Sequence, residues 1–298
     1  MNWNNLAQEV AAGNQRSIAR AVSLVENGVD GSADFLEMLQ FHPNIPVIGI
    51  TGPPGAGKSS LVNALVSHWL ERGEKIAVIA VDPSSPFNLG SILGDRLRMA
   101  GLFTHPNLFI RSLSSRGSLG GLTSGIIEVI DVFRHAAYDK IVIETVGVGQ
   151  SEVEIAGVAD STVVVTVPES GDEVQTLKSG IMEIADIFVV NKADREGAGR
   201  FARYLAEMAH GRLQNDVQVI QTIATENKGI AELAGAIEQD FARQKQSEKR
   251  FRLLAEKAAR LILKQRMTDI DTDKIAEELK VLSNKPGFNL YLYTKRFY

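Results

Sequence analysis

The sequence predicts an α/β fold, a mostly parallel central sheet with helical extensions at its N- and C-terminal ends. Three observations carry that expectation. Short β-branched runs between residues 45 and 222 alternate with longer amphipathic stretches, as strands buried on both faces and linked by crossover helices do. The segments before and after this region repeat their apolar residues at helical spacing. A glycine-rich turn, "GITGPPGAGKSS", separates the first run from the amphipathic "SLVNALVSHWL", giving a strand–turn–helix unit.

In chain order, residues 1–43 read as a helical extension. Leu6 and Val10, then Ile18, Val22, Leu24 and Val25, then Phe35, Leu36 and Leu39 recur at roughly helical spacing. The strand candidates follow: "IPVIGIT" (45–51), "KIAVIAV" (75–81), "NLFIR" (107–111), "KIVIET" (140–145), "STVVVTV" (161–167), "DIFVVN" (186–191) and "DVQVIQT" (216–222). They define a central domain over 44–246. Beyond about residue 228 the pattern turns helical again through Leu282, and 247–298 reads as a C-terminal extension suited to dimerisation or partner contact. Its last stretch, "KPGFNLYLYTKRFY", holds three of the five tyrosines. There is no internal repeat or low-complexity tract.

Composition bounds the function. The 298 residues are 44% apolar and 23% charged, ordinary values for a globular chain with a sizeable core. A net charge of −4 gives no electrostatic footprint for nucleic acid. With no cysteine, disulfides and thiolate metal sites are excluded. The five histidines (42, 68, 105, 135 and 210) lack ligand spacing and read as structural or solvated. The opening "MNWNNLAQEVAAGNQ" lacks the basic flank and apolar stretch of a secretory signal, and no run reaches the ~20 apolar residues of a membrane span. A soluble cytoplasmic protein is expected.

Gly52, Pro53, Pro54, Gly55, Ala56, Gly57, Lys58, Ser59 and Ser60 follow the spacing of a phosphate-binding loop, so the fold expected is that of a P-loop NTPase. Glycines let successive backbone N–H groups face one anion, and the helix N-terminus adds positive potential. Lys58 can bridge β- and γ-phosphates, and the Ser59 hydroxyl can ligate Mg²⁺.

The base is read further along. "VVNKADR" places Asn191, Lys192 and Asp194 at the end of a late strand, where open α/β sheets hold ligands. An ionised Asp194 can accept from guanine N1–H and the exocyclic amine. Adenine offers an acceptor at N1 and no amine, so the carboxylate would face a lone pair. Charge-assisted bonds are worth ~1.5–3 kcal/mol each, and losing two discriminates strongly against ATP. Asn191 can hold the loop or the base edge, the Lys192 stem can lie along the base, and "IATENKGI" can lend backbone contacts to the purine oxygen. The expected ligand is GTP or GDP.

The apolar run 140–145 ends in Glu144 and a glycine-punctuated turn, "ETVGVGQSE". Beside the phosphate strand, that carboxylate is placed to approach Mg²⁺; alone, it would be a solvated strand end. A backbone N–H at Gly147 could contact a γ-phosphate and lose it on hydrolysis.

Taken together, "ITGPPGAGKSSLVNAL", "VDPSSPFNLGSILGDRLRM", "ETVGVGQSE", "ESGDEVQTLKSGIMEIAD" and "NKAD" closely resemble the MeaB/ArgK/MMAA family of GTPases over most of residues 10 to 245. The resemblance implies a SIMIBI-class G domain working as a homodimer. Such proteins chaperone an adenosylcobalamin-dependent acyl-CoA mutase such as methylmalonyl-CoA mutase, gating cofactor delivery and protecting the mutase. It assigns Lys58 and Ser59 to phosphate and metal. It assigns Asp82 and Asp95, in the segment resembling switch I, to acidic positions near Mg²⁺ and the attacking water, and Glu144 to the acidic strand end. Asp172, Glu173, Gln175 and Lys178 correspond to a further switch that couples hydrolysis to the mutase. Read from the residues alone, Asp82 and Asp95 fit a helix cap and a loop charge, and "SGDEVQTLK" a polar helix start.

Ras-like GTPases carry a water-orienting glutamine directly after the glycine, where this chain has Val148; Gln150 lies two residues further on. Slow intrinsic hydrolysis, accelerated by a partner, is therefore expected. "GSLGGLTSG" (117–125) resembles a family loop and serves equally to start the helix behind it. The competing functions are a P-loop kinase of the transport-kinase type, acting on a protein or small molecule, and a nickel-insertion GTPase. The absence of cysteine and of a histidine cluster disfavours the second.

Overall fold

The computed structural model describes residues 2–40, 42, 44–82, 101–102, 104–114, 125–145, 151–168, 181–213, 217–244, 248–266, 270, 272–282 and 289–297. Contacts divide the chain into two units, Met1–Leu253 and Leu254–Tyr298.

The first unit begins with helices α1 (Trp3–Ala11), α2 (Gln15–Glu26) and α3 (Ser32–Glu37). The Asn14 side chain accepts from the Arg16 and Ser17 N–H groups, both at 3.1 Å, and so caps orphan donors at the start of α2. Apolar residues three and four apart give the first two helices one buried stripe: Leu6, Ala7 and Val10, then Ile18, Ala21, Val22 and Val25.

The alternating region follows as β1 (Val47–Thr51), α4 (Lys58–Glu71), β2 (Ile76–Asp82), β3 (Leu108–Ser114), α5 (Ile126–His135), β4 (Lys140–Thr145), β5 (Ser161–Thr166), β6 (Ile187–Asn191), α6 (Ala198–Leu213), β7 (Gln218–Thr222) and α7 (Ile230–Gln244). Each apolar run read from the sequence supplies one strand. β3 continues past its run through Ser112, Leu113 and Ser114, because its whole length pairs with Ile76–Asp82 of β2. Pairing there overrides a weak local β preference.

The seven strands form one parallel sheet in the order β3-β2-β4-β1-β5-β6-β7. Period-2 alternation splits each strand between two cores. Ala77, Ile79, Val81, Ile141 and Ile143 pack with α5 and the N-terminal helices. Ile76, Val78, Val142, Val163 and Val189 pack against α4 and α7, including Leu61, Leu65, Trp69, Leu233 and Ile237. Val190 meets Phe201 and Leu205 of α6.

His135 is one of the five histidines with no ligand pattern, and it is structural. Buried on α5, its Nδ1 accepts from the Gln40 N–H at 3.0 Å. That leaves Nε2 to donate to the Ala7 carbonyl, 3.0 Å away. One ring thus ties α1 and the segment after α3 to the sheet's covering helix.

In the second unit, α8 (Glu248–Arg266) enters from the first; α9 (Thr272–Leu282) and α10 (Leu290–Thr294) follow. The Tyr293 hydroxyl, buried, donates to Glu278 at 3.1 Å, and Arg296 stacks over the Tyr293 ring at 5.2 Å. Burial, then the Glu278 carboxylate, pushes the Tyr293 pKa up. Leu261, Ile262, Leu263, Val281, Leu292 and Phe297 remain exposed. No helix among the described residues is long and apolar enough to cross a membrane.

Candidate functional site

The loop between β1 and α4 needs glycine at two places. Gly52 has φ 140, and a Cβ there would lie 2.1 Å from the Val165 carbonyl oxygen. Gly57 has φ 88, and a Cβ there would lie 2.4 Å from Asn191 Nδ2. Both are left-handed positions against which a neighbour is pressed. Lys58 opens α4 and is buried; its ammonium folds back to donate to the Gly52 and Pro53 carbonyls at 2.7 and 3.1 Å. The positive end of α4 points at the same loop.

Glu144 meets the loop from the neighbouring strand. It pairs in register with Ile50 of β1 and Ala80 of β2, so the carboxylate stands near the carboxyl-terminal ends of the central strands. Ser59 Oγ donates to Glu144 Oε1 at 2.6 Å. Behind this pair the Thr145 hydroxyl donates to Thr51 Oγ1 at 3.0 Å, joining the two strand ends. Asp82 is the last residue of β2, two beyond Ala80; its side chain lies outside the described set. Asp95, Gly147, Gln150, Asp172, Glu173, Gln175 and Lys178 also lie outside the described residues.

The second motif closes on the loop from β6. Asn191 Nδ2 donates to the Ala56 carbonyl at 2.9 Å, while Asn191 Oδ1 accepts from Thr222 Oγ1 at 3.1 Å and the Ala224 N–H at 3.2 Å. Its amide thereby braces the glycine loop against the end of β7 and the turn that follows. Lys192, at φ 55, sends its ammonium to the Gly55 carbonyl at 2.7 Å. A non-glycine residue held in that region is strained, and such strain concentrates at functional sites. Asp194, by contrast, is exposed and makes no hydrogen bond or ion pair with another described residue.

Gly57, Ser60, Asn191, Lys192, Asp194, Arg195, Ile223, Ala224 and Thr225 line a cavity of about 230 Å³. A larger hollow of about 550 Å³ lies at the opposite, amino-terminal ends of the strands. None of the motif residues lines it, and Arg72, Glu74, Lys140 and Glu238 on its wall are paired with one another. The smaller cavity, where loop and strand-end motif meet, is the candidate site.

Sequence reading did not single out Thr222, Arg195 or the Thr51–Thr145 pair. A polar residue at the C-terminal end of a buried strand was the available signal, since Thr222 is fully enclosed and hydrogen-bonded to Asn191.

Known proteins resemble this chain in sequence and in fold. A putative GTPase of Pyrococcus abyssi is 42% identical over 288 residues, covering 94% of this chain and 83% of its own length. The Escherichia coli GTPase ArgK is 38% identical over 237 residues, covering 76% of this chain and 72% of its own. The crystal structure of an LAO/AO transport system kinase matches with a TM-score of 0.68 and 25% identity over 99% of this chain and 96% of that one. Residues 18–278 match the family model for methylmalonyl-CoA mutase-associated GTPase MeaB. On that match the chain belongs to the MeaB family of GTPases.

Proposed function

We propose that the protein is a GTP-hydrolysing switch that gates adenosylcobalamin delivery to, and protects, an acyl-CoA mutase of the methylmalonyl-CoA type. The observation that carries this is the meeting of the Lys58 loop, the Ser59–Glu144 pair and the Asp194 cavity at one end of one sheet. The family's own description, a GTPase associated with methylmalonyl-CoA mutase, supplies the partner.

In this reading the backbone of Gly52–Ser60 cradles the phosphates and Lys58 spans the β- and γ-phosphates. Asp194 accepts from the guanine edge, while Asn191 and Lys192 fix the loop that the nucleotide lies on. Ser59 and Glu144 offer adjacent hard oxygen donors, a set that suits Mg²⁺; Asp82 and Asp95 would complete it. Magnesium, when bound, neutralises charge between the transferred and leaving phosphates. Gly147 and Gln150 would respond to the γ-phosphate, and Asp172, Glu173, Gln175 and Lys178 would carry that response to the mutase.

Val148 in place of a water-orienting glutamine supports slow hydrolysis alone and faster hydrolysis in the complex. The exposed Leu261, Ile262, Leu263 and Val281 support a homodimer formed through the 247–298 segment, with 44–246 as the G domain and a cytoplasmic location. The name of the solved LAO/AO transport system kinase favours a second reading, phosphoryl transfer to a protein or small molecule.

GTP turnover of the purified chain, with and without an adenosylcobalamin-dependent mutase, separates these. Slow release of free phosphate that rises with the mutase supports the switch. Phosphate appearing on an acceptor supports the kinase, and fast turnover by the chain alone contradicts the partner-completed site.

A further inference from the structure

The turn that walls the Asp194 cavity carries an ion pair of its own. After β7 the chain folds back tightly: the Ile223 N–H donates to the Lys228 carbonyl at 3.1 Å, and the Lys228 N–H to the Ile223 carbonyl at 3.3 Å. Asn227 at φ 55 and Gly229 at φ 74 supply the left-handed residues. A Cβ on Gly229 would lie 2.2 Å from the Gln221 carbonyl oxygen, so the turn has little room to change. Asn191 pins it through the Ala224 N–H. Lys228 therefore sits on a fixed scaffold directly across from Ile223, which lines the cavity together with Asp194. Its ammonium is held by Glu226 Oε2 at 2.7 Å.

We propose that Lys228 is a positioning residue for base recognition: tethered by Glu226 on the turn that walls the cavity, its ammonium adds positive potential on the Asp194 side without occupying the oxygens that meet the base. The inference rests on the guanine reading of the cavity. The two charges sense each other. The hydrogen bond and then the charge of Glu226 raise the Lys228 pKa above its ordinary value, and the charge of Asp194 adds to that rise.

In open water such an effect is small, because exposed pairs are screened and strongly hydrated. A purine laid over Asp194 removes water from one side of the carboxylate, and a fixed cation nearby then offsets part of the lost hydration. Glu226 matters for a separate reason. An ammonium has three donors and no acceptor, so an untethered Lys228 would fold onto Asp194 and compete with the guanine edge for the same oxygens.

The test is a calorimetric titration of the full chain with magnesium GDP and magnesium ADP at low and high salt, for wild type, Lys228→Met, Lys228→Arg, Glu226→Gln and the Glu226→Gln/Lys228→Met double variant. Lys228→Met should weaken GDP binding about threefold at low salt, the size of an exposed charge pair. ADP binding should not change, and the GDP difference should vanish at high salt. Lys228→Arg should restore most of the loss. Glu226→Gln alone should weaken GDP binding further than Lys228→Met, and the double variant should return to the Lys228→Met value. Equal GDP affinity in wild type and Lys228→Met at low salt, or a loss shared by ADP and persisting at high salt, would overturn the proposal. A wild type that does not prefer GDP would instead overturn the guanine reading itself.

Discussion

Ser59 Oγ and Glu144 Oε1 stand 2.6 Å apart although 85 residues separate them in the chain. The contact exists because β4 lies beside β1 in register, Glu144 opposite Ile50, and because α4 starts directly after the glycine loop. One residue before its end, the apolar strand β4 carries a carboxylate that meets the glycine loop. Ser59→Ala removes the hydroxyl while leaving the backbone cradle. GDP affinity in the presence of magnesium is expected to fall about tenfold or more, the weight of one charge-assisted bond. Titration with and without magnesium checks this; a variant whose magnesium dependence matches wild type contradicts it.

Asp194 and Asn191 belong to one motif but hold different partners, and their variants should separate. Asp194→Asn replaces an acceptor-only group by one that also donates. Two charge-assisted bonds to guanine weaken, so GDP affinity should drop by about a hundredfold, with ADP affinity and thermal stability close to wild type.

Asn191→Ala should behave in the opposite way. The Ala56 carbonyl and the Ala224 N–H each lose a buried partner, a cost of about 1–3 kcal/mol per unsatisfied group. Thermal denaturation should register that loss, and GDP and ADP affinities should fall together because the loop itself is unbraced.

Gly57 and Gly55 form a controlled pair within the loop. Both have positive φ, 88 and 79, but a Cβ meets Asn191 only at Gly57. Gly55→Ala should carry the left-handed penalty alone, about 1–2 kcal/mol. Gly57→Ala adds a collision with a side chain held by hydrogen bonds, and should cost more and abolish tight nucleotide binding. Chemical denaturation of both variants reads the difference.

Acid sensitivity should be seated partly in the N-terminal helices. Ser17 Oγ donates to Glu9 Oε2 at 2.5 Å across the α1–α2 turn, and Asn5 donates to Glu9 Oε1. These bonds hold the Glu9 carboxyl below its ordinary 4.5. A carboxyl depressed in the folded state adds stability that is complete above its unfolded value and is lost as pH falls through the folded one. Ser17→Ala should therefore narrow the stability difference between pH 6 and the acid limb below about 4, as read by thermal melts across that range.

Much of this was legible in the chain because it is local. Period and branching mark the seven strands, and the glycine spacing marks the loop. The ends of β3 were not, since Ser112–Ser114 become strand only by pairing with β2. Equally hidden is the bracing by Asn191: the sequence leaves it open to loop or base, and the distances to Ala56, Thr222 and Ala224 show it holding the loop. Lys228 lies within "IATENKGI", a stretch the sequence credits only with backbone contacts; what carries it back to the cavity wall is a turn closed by backbone bonds to Ile223.

The central claim, that the cavity beside the glycine loop selects a guanine nucleotide through Asp194, is tested most directly by one titration of the wild-type chain with magnesium GDP against magnesium ADP. The account predicts GDP tighter by about a hundredfold or more, two charge-assisted bonds' worth of discrimination. Equal affinities would contradict it.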